Sequence, residues 1–132
     1  MSAPESTVLV VDDDFRVASV HVGFVQAVPG FRVIGQAGSA ADALAQARAL
    51  RPDLVLMDVY LPDGDGLDVV RQLLAEPDPA AVIVISAAND LATVRRAVQL
   101  GALHYLVKPF GFAELAERLT ASLNEIAAGR AE

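Results

Sequence analysis

Four short apolar runs recur along the chain, and each ends on a polar residue. Val8-Leu9-Val10-Val11 precedes Asp12-Asp13-Asp14, Leu54-Val55-Leu56-Met57 precedes Asp58, Val82-Ile83-Val84-Ile85 precedes Ser86, and His104-Tyr105-Leu106-Val107 precedes Lys108-Pro109. Runs that are apolar on both faces predict strands covered on both sides, as in parallel sheets flanked by helices. Segment 31–37 is also strand-like, with Phe31, Val33 and Gly35 alternating against Arg32, Ile34 and Gln36. Between the strands the period becomes helical. Phe15, Ala18, Val22 and Val25 make one stripe of a helix over 15–28 that stops at Pro29-Gly30. Ser39 is placed to cap an alanine-rich helix over 40–50, ended by Arg51-Pro52 because a residue before proline avoids the α region. A helix over 67–75 closes at Glu76-Pro77-Asp78-Pro79, and another, capped by Asn89 or Asp90, runs through Leu100 to Gly101. The last helix spans 112–128, with Phe112, Leu115, Leu119 and Leu123 facing inward.

Five strands alternating with five helices predict an α/β fold, a doubly wound five-stranded parallel sheet with right-handed crossovers. Its strand order is open at this point. In such a sheet the four polar endings share the carboxyl edge, where open α/β sheets bind ligands. Asp58, at the end of the central run, is the residue around which the others are arranged.

Composition narrows the field. The 132 residues suit one domain, and a 54% hydrophobic content makes it a packed globule. Residues 1–6 are expected to form a disordered tail and 7–128 the domain, with 129–132 a tail or the start of a linker. A net charge of -7 argues against a surface that grips nucleic acid, which needs clustered Lys and Arg. Without cysteine there are no disulfides, thiolate metal sites or cysteine nucleophiles. The N-terminal stretch lacks a signal-peptide pattern, and no apolar stretch approaches the about 18 residues of a membrane span, so the expected location is the cytoplasm.

The endings carry the chemistry. Asp12 and Asp13 from one strand and Asp58 from a neighbour would repel one another unless a cation or proton intervenes. A hard divalent ion is the natural occupant, and Mg2+, which keeps several waters and takes one or two carboxylates plus a phosphate oxygen, suits a sparse open site. Lys108 adds a fixed positive charge, and Ser86 a hydroxyl able to donate to an anionic oxygen. Together these groups describe phosphoryl transfer, helped by positioning and charge neutralisation, with Asp58 as the nucleophile.

Several stretches also resemble a known family: Val10-Val11-Asp12-Asp13, Leu56-Met57-Asp58 followed by Leu61-Pro62 and Gly64-Asp65-Gly66, Ile85-Ser86-Ala87, and Tyr105-Leu106-Val107-Lys108-Pro109-Phe110. They look like the receiver domain of two-component response regulators, the flavodoxin-like, CheY-like fold, from Thr7 to about Leu123. The resemblance implies strand order 2-1-3-4-5, with the site at the switch point. It implies that Asp58 accepts phosphate from a sensor histidine kinase, that Asp13, Asp58 and the Tyr60 backbone carbonyl bind magnesium directly, and that Asp12 helps through water. Lys108, before a cis bond to Pro109, would pair with the phosphoryl group, and Ser86 and Tyr105 would be the switch pair. Tyr60 and Ala88 would modulate how water reaches the acyl phosphate. Such a domain is no enzyme beyond promoting its own phosphorylation and dephosphorylation. Its fourth helix, fifth strand and fifth helix would form a dimerising surface, with any DNA contact left to an attached output domain. Asp14-Phe15-Arg16, Val28-Pro29-Gly30-Phe31 and Tyr60-Leu61-Pro62-Asp63-Gly64 are similar to the citrate and C4-dicarboxylate-sensing regulators of this family.

Plainer readings stand beside these. Asp14 is read as a helix cap; three consecutive acids leave two readings of the acidic pair, Asp12-Asp13, which is preferred, and Asp13-Asp14. Asp63-Gly64-Asp65-Gly66 hints at a calcium loop, but without EF-hand spacing it reads as a turn. His21 and His104 are read as structural or surface residues, and Arg95-Arg96 as a solvated face. Two other functions compete. A phosphatase with an aspartyl intermediate would want an acid two residues after Asp58, where Tyr60 stands, and a docking module without phosphorylation would be expected to lack an acid or the lysine.

Overall fold

The computed structural model describes residues 5–87 and 90–131, with side chains as far as Ile126. Residues 1–4, Ala88, Asn89 and Glu132 lie outside the described residues, and with them most of the expected N-terminal tail, the role given to Ala88, the alternative cap Asn89 and the end of the expected 129–132 tail. The elements run β1 (Ser6–Val11), α1 (Phe15–Gln26), β2 (Phe31–Ala37), α2 (Ala40–Leu50), β3 (Leu54–Asp58), β4 (Tyr60–Leu61), β5 (Gly64–Asp65), α3 (Gly66–Leu74), β6 (Ala81–Ala87), α4 (Leu91–Leu100), β7 (His104–Lys108) and α5 (Phe112–Ala131).

Five strands form one parallel sheet in the order β2-β1-β3-β6-β7. Since β4 and β5 make a separate two-stranded hairpin, β6 and β7 are the fourth and fifth strands of the main sheet, which therefore has the order 2-1-3-4-5. The centre is β3, fully buried between β1 and β6. Alternation divides its side chains between the two faces. Val55 and Met57 pack with Leu9, Val11, Val82 and Val84 against α2, α3 and α4. Leu54 and Leu56 pack with Val8, Val10, Ile83, Ile85 and Leu106 against Ala18 and Val25 of α1 and Leu115 and Leu119 of α5. Each such side chain contributes about 1.5–3 kcal/mol when fully buried, so these two layers fix the sheet order and the carboxyl edge with it.

The first turns of two helices depart from the sequence pattern. Phe15 is 74% exposed, and the buried line of α1 is Ala18, His21 and Val25. Phe112 is also exposed, and the buried line of α5 is Leu115, Leu119, Ser122 and Ile126. Both phenylalanines open helices that start at the carboxyl edge, where the first turn overhangs the sheet and has no strand beneath it. Phe112 instead meets Phe24 edge to face, with ring centroids 5.8 Å apart.

Helix ends follow the expected chemistry. Ser39 caps α2 and Asp90 caps α4, while Arg51 and Gly101 close these helices in the left-handed region, with φ of 48° and 108°. Helix α1 ends at Gln26, two residues early, and α5 continues three residues beyond 128.

Candidate functional site

Register and alternation bring the polar endings together. Val11 pairs with Met57, so Asp12 follows on β1 where Asp58 follows on β3, and both inherit the face of Val10 and Leu56. Lys108 has the parity of Leu106 and therefore lies on the same face. Its ammonium reaches back across the rim to Asp12 Oδ2 at 2.7 Å and Asp58 Oδ2 at 2.6 Å. Both carboxylates are buried, only 2% and 3% exposed, and each uses its other oxygen locally. Asp12 Oδ1 accepts the Asp14 N–H at 2.9 Å, and Asp58 Oδ1 accepts the Tyr60 N–H at 2.9 Å. Asp13 is exposed, yet Asp12, Asp13 and Asp58 each offer an oxygen within 4.8 Å of the others.

The electrostatics are unbalanced in a telling way. One ammonium among three carboxylates leaves an excess of negative charge. Burial pushes the Asp58 carboxyl above its ordinary range, and the Asp12 charge adds to the rise, against the Lys108 and Tyr60 hydrogen bonds that pull it down. Burial alone would lower Lys108, but its bonds to Asp12 and Asp58 exceed that effect and raise it. An all-oxygen donor set, a surplus of negative charge and an open side at Asp13 fit a hard divalent cation such as Mg2+. Ser86, at the end of β6, adds a second sign of fit: its hydroxyl is buried without a hydrogen-bond partner among the described residues, an arrangement that calls for an explanation such as a ligand. Lys108 precedes a cis bond to Pro109, and Tyr105 on β7 is exposed.

The stretch after Asp58 is built more tightly than a turn. Tyr60 pairs with Asp65 and Leu61 with Gly64, forming the β4–β5 hairpin that the sequence pattern did not reveal. Asp65 caps α3 through the Leu67 N–H at 2.9 Å, and Asp63 accepts from the Ala40 and Ala41 N–H groups of α2. These carboxylates thus serve helix N-termini, in keeping with a turn rather than a calcium loop. The Tyr60 hydroxyl donates to Asp90. No local pattern announces the contacts of Asp63 and Tyr60, because their partners lie 22 to 30 residues away. Asp14 caps α1 through the Arg16 and Val17 N–H groups, leaving Asp12 and Asp13 for the cluster. His21 is buried against Phe110, with ring centroids 4.6 Å apart, and burial lowers its pKa. Arg95 and Arg96 are exposed on α4.

Gly66 sets where this stretch can lie. Its N–H donates to the Val59 carbonyl at 3.0 Å, and a Cβ on Gly66 would stand 2.8 Å from that carbonyl's carbon and oxygen. Gly66→Ala is therefore expected to shift backbone beside Asp58 and to cost about 1–3 kcal/mol, the usual scale of overpacking. A lower urea midpoint with an unchanged slope is the expected signature.

Fold and site together define a doubly wound domain with a lysine-bridged acidic centre at its carboxyl edge. A family model described as the response regulator receiver domain matches residues 8–120, and the chain belongs to that family. It is 38% identical over 120 residues to the transcriptional regulatory protein DpiA of Escherichia coli K12, covering 91% of this chain and 53% of that protein. To the probable C4-dicarboxylate response regulator DctR of Halalkalibacterium halodurans it is 35% identical over 122 residues, covering 92% and 51%. The chain thus spans about half the length of these curated relatives. Among solved structures it is similar to the complex of CheX, CheY, BeF3 and Mg2+ from Borrelia burgdorferi, with a TM-score of 0.82, 25% identity and 89% coverage of each chain. The similarity to C4-dicarboxylate regulators read from the sequence is present among these relatives, in DctR. No helix among the described residues is long and apolar enough to cross a membrane.

Proposed function

We propose that Asp58 is the phosphoacceptor, taking a phosphoryl group from a phosphohistidine of a sensor histidine kinase in the cytoplasm. A carboxylate oxygen of Asp58 forms the new O–P bond as the N–P bond to the imidazole breaks. The imidazole keeps the electron pair and takes a proton from solvent. Asp13, Asp58 and the Tyr60 carbonyl hold Mg2+, with Asp12 acting through a water. Bound there, Mg2+ supplies neutralisation of the charge that gathers on the phosphoryl oxygens.

The observation that carries this reading is the bridge from Lys108 to Asp12 and Asp58, three strands meeting through one ammonium at the rim. Once Asp58 becomes an acyl phosphate, Lys108 pairs with the phosphoryl oxygens and Ser86, unpartnered among the described residues, donates to another. Tyr105, exposed on β7 one strand from Ser86, turns inward behind that hydroxyl. The surface of α4, β7 and α5 then changes, favouring self-association and, in a longer protein, the pairing of attached DNA-binding domains. The domain acts on no external substrate beyond its phosphodonor. The name of DpiA, a transcriptional regulatory protein, supports a role in transcriptional regulation, and that of DctR a role as a response regulator.

Incubation with Mg2+ and acetyl phosphate is the direct test. One phosphoryl group per chain should appear by mass, depend on Mg2+, map to Asp58 and be released by hydroxylamine, as an acyl phosphate is. Uptake at a different residue, or none from either acetyl phosphate or a phosphorylated kinase, would overturn the assignment.

A further inference from the structure

Three acidic side chains tie the β4–β5 hairpin to three helix N-termini. Asp65 caps α3 from the hairpin's own end. Asp90 receives the Tyr60 hydroxyl while capping α4 through the Thr93 N–H at 3.2 Å and the Thr93 hydroxyl at 2.6 Å. At the tip, Asp63 reaches to α2, with Oδ1 accepting the Ala40 N–H at 2.7 Å and Oδ2 the Ala41 N–H at 3.1 Å.

The last tie differs from the other two. Helix α2 already has its own cap, Ser39, which accepts the Asp42 N–H at 3.1 Å. Asp63 is exposed, yet it uses both oxygens on a helix outside its own hairpin. The two N–H groups hold its carboxyl below the usual range, and the positive end of the helix dipole favours the same charge. Beside it the hairpin passes so close to α2 that a Cβ on Gly64 would lie 3.6 Å from that of Ala40.

We propose that Asp63 is a positioning residue for the metal site: by clamping the hairpin tip to α2 it fixes the Tyr60 carbonyl and so sets the affinity for Mg2+. This rests on the reading of Asp13, Asp58 and Tyr60 as magnesium ligands. Magnesium demands near-ideal octahedral geometry, so a ligand that drifts loses affinity. A hairpin with two paired positions on each strand restrains drift weakly, and the tie at its tip supplies the missing constraint. By linkage, Mg2+ binding should tighten the clamp in return and slow exchange at the Ala40 and Ala41 amides.

The experiment is Mg2+ titration of unphosphorylated wild type, Asp63→Ala, Asp63→Asn and Asp42→Asn, at an ionic strength high enough to screen exposed charges. Asp42→Asn serves as a charge control in the first turn of the same helix. Asp63→Ala is expected to bind about tenfold more weakly, as when the support of a metal ligand is removed. Asp63→Asn keeps one acceptor oxygen and should lose less, and Asp42→Asn should match wild type. Amide exchange at Ala40 and Ala41 should slow with Mg2+ in wild type and not in Asp63→Ala. Equal weakening by Ala and Asn would reduce Asp63 to a charge. A lowered unfolding midpoint with wild-type Mg2+ affinity would reduce it to a helix cap. Either result overturns the proposal alone, whereas a wild type that binds no Mg2+ overturns the magnesium reading along with it.

Discussion

Asp58→Asn is expected to lower phosphoryl uptake by at least about 10³-fold, the scale on which removal of a nucleophile acts, while making the metal-free protein more stable at pH 7. The first effect follows from chemistry, because an amide oxygen is a poor nucleophile toward phosphorus and the product carries no stable acyl phosphate. The second follows from the environment of the carboxylate. Asp58 is buried beside Asp12, and its pKa in the folded protein lies above the ordinary 3.8. An acid with a raised folded pKa stabilises the fold only while it is protonated. That contribution is present at low pH and is lost as pH rises through the folded value. At neutral pH ionised Asp58 is therefore a liability. The near-isosteric amide keeps an acceptor for the Tyr60 N–H, and Lys108 keeps Asp12. A gain of about 1 kcal/mol is expected, within the range of commonly stabilising changes. It should shrink as pH falls below the folded pKa of Asp58. Saturating Mg2+ should reverse the order by stabilising wild type through mass action. Urea unfolding at neutral and acidic pH, with and without Mg2+, checks all of this, and a less stable Asp58→Asn in metal-free buffer at pH 7 would contradict it.

Much of the fold was legible because strands buried on both faces leave unbroken apolar runs. Leu54 to Met57, Val8 to Val11 and Val82 to Ile85 need no tertiary context to be recognised, and the polar residue ending each run marks the same edge. The convergence of Asp12, Asp58 and Lys108 was legible for the same reason, since alternation along a strand carries parity from the core to the rim. What stayed hidden depends on contacts in space. Helical spacing groups Phe15 with Ala18 and Phe112 with Leu115 but does not say where the sheet ends, and both rings lie beyond it. The hairpin at 60–65 is too short to show a period, and the carboxylate of Asp63 looks like any turn acid until α2 arrives. Ser86 gave only a hydroxyl in a plausible place; its burial without a partner among the described residues is a property of the packed structure.

Lys108→Met, at the same centre, should act in the opposite direction. Removing one member of a buried ion pair typically costs about 3–5 kcal/mol, because the remaining charge stays buried without compensation. Here Lys108 is 31% exposed and Asp13 opens the cluster to solvent, so screening reduces the expectation to about 2 kcal/mol at pH 7. The pH dependence has a definite sign. Without the ammonium, Asp58 loses the hydrogen bond and charge that hold its pKa down, so its folded value rises further. The penalty is present above that value and fades below it, and at acidic pH variant and wild type should converge. Mg2+ should restore much of the loss, since a divalent cation compensates the same carboxylates. It should also bind the variant more tightly, because no ammonium competes for Asp12 and Asp58. In the double variant with Asp58→Asn the cost of losing Lys108 should fall, because one of the two stranded charges is gone, and the shortfall measures the coupling between the two residues. Strictly additive effects, or an unfolding midpoint in Lys108→Met equal to wild type, would mean that the ammonium does not hold these acids in balance.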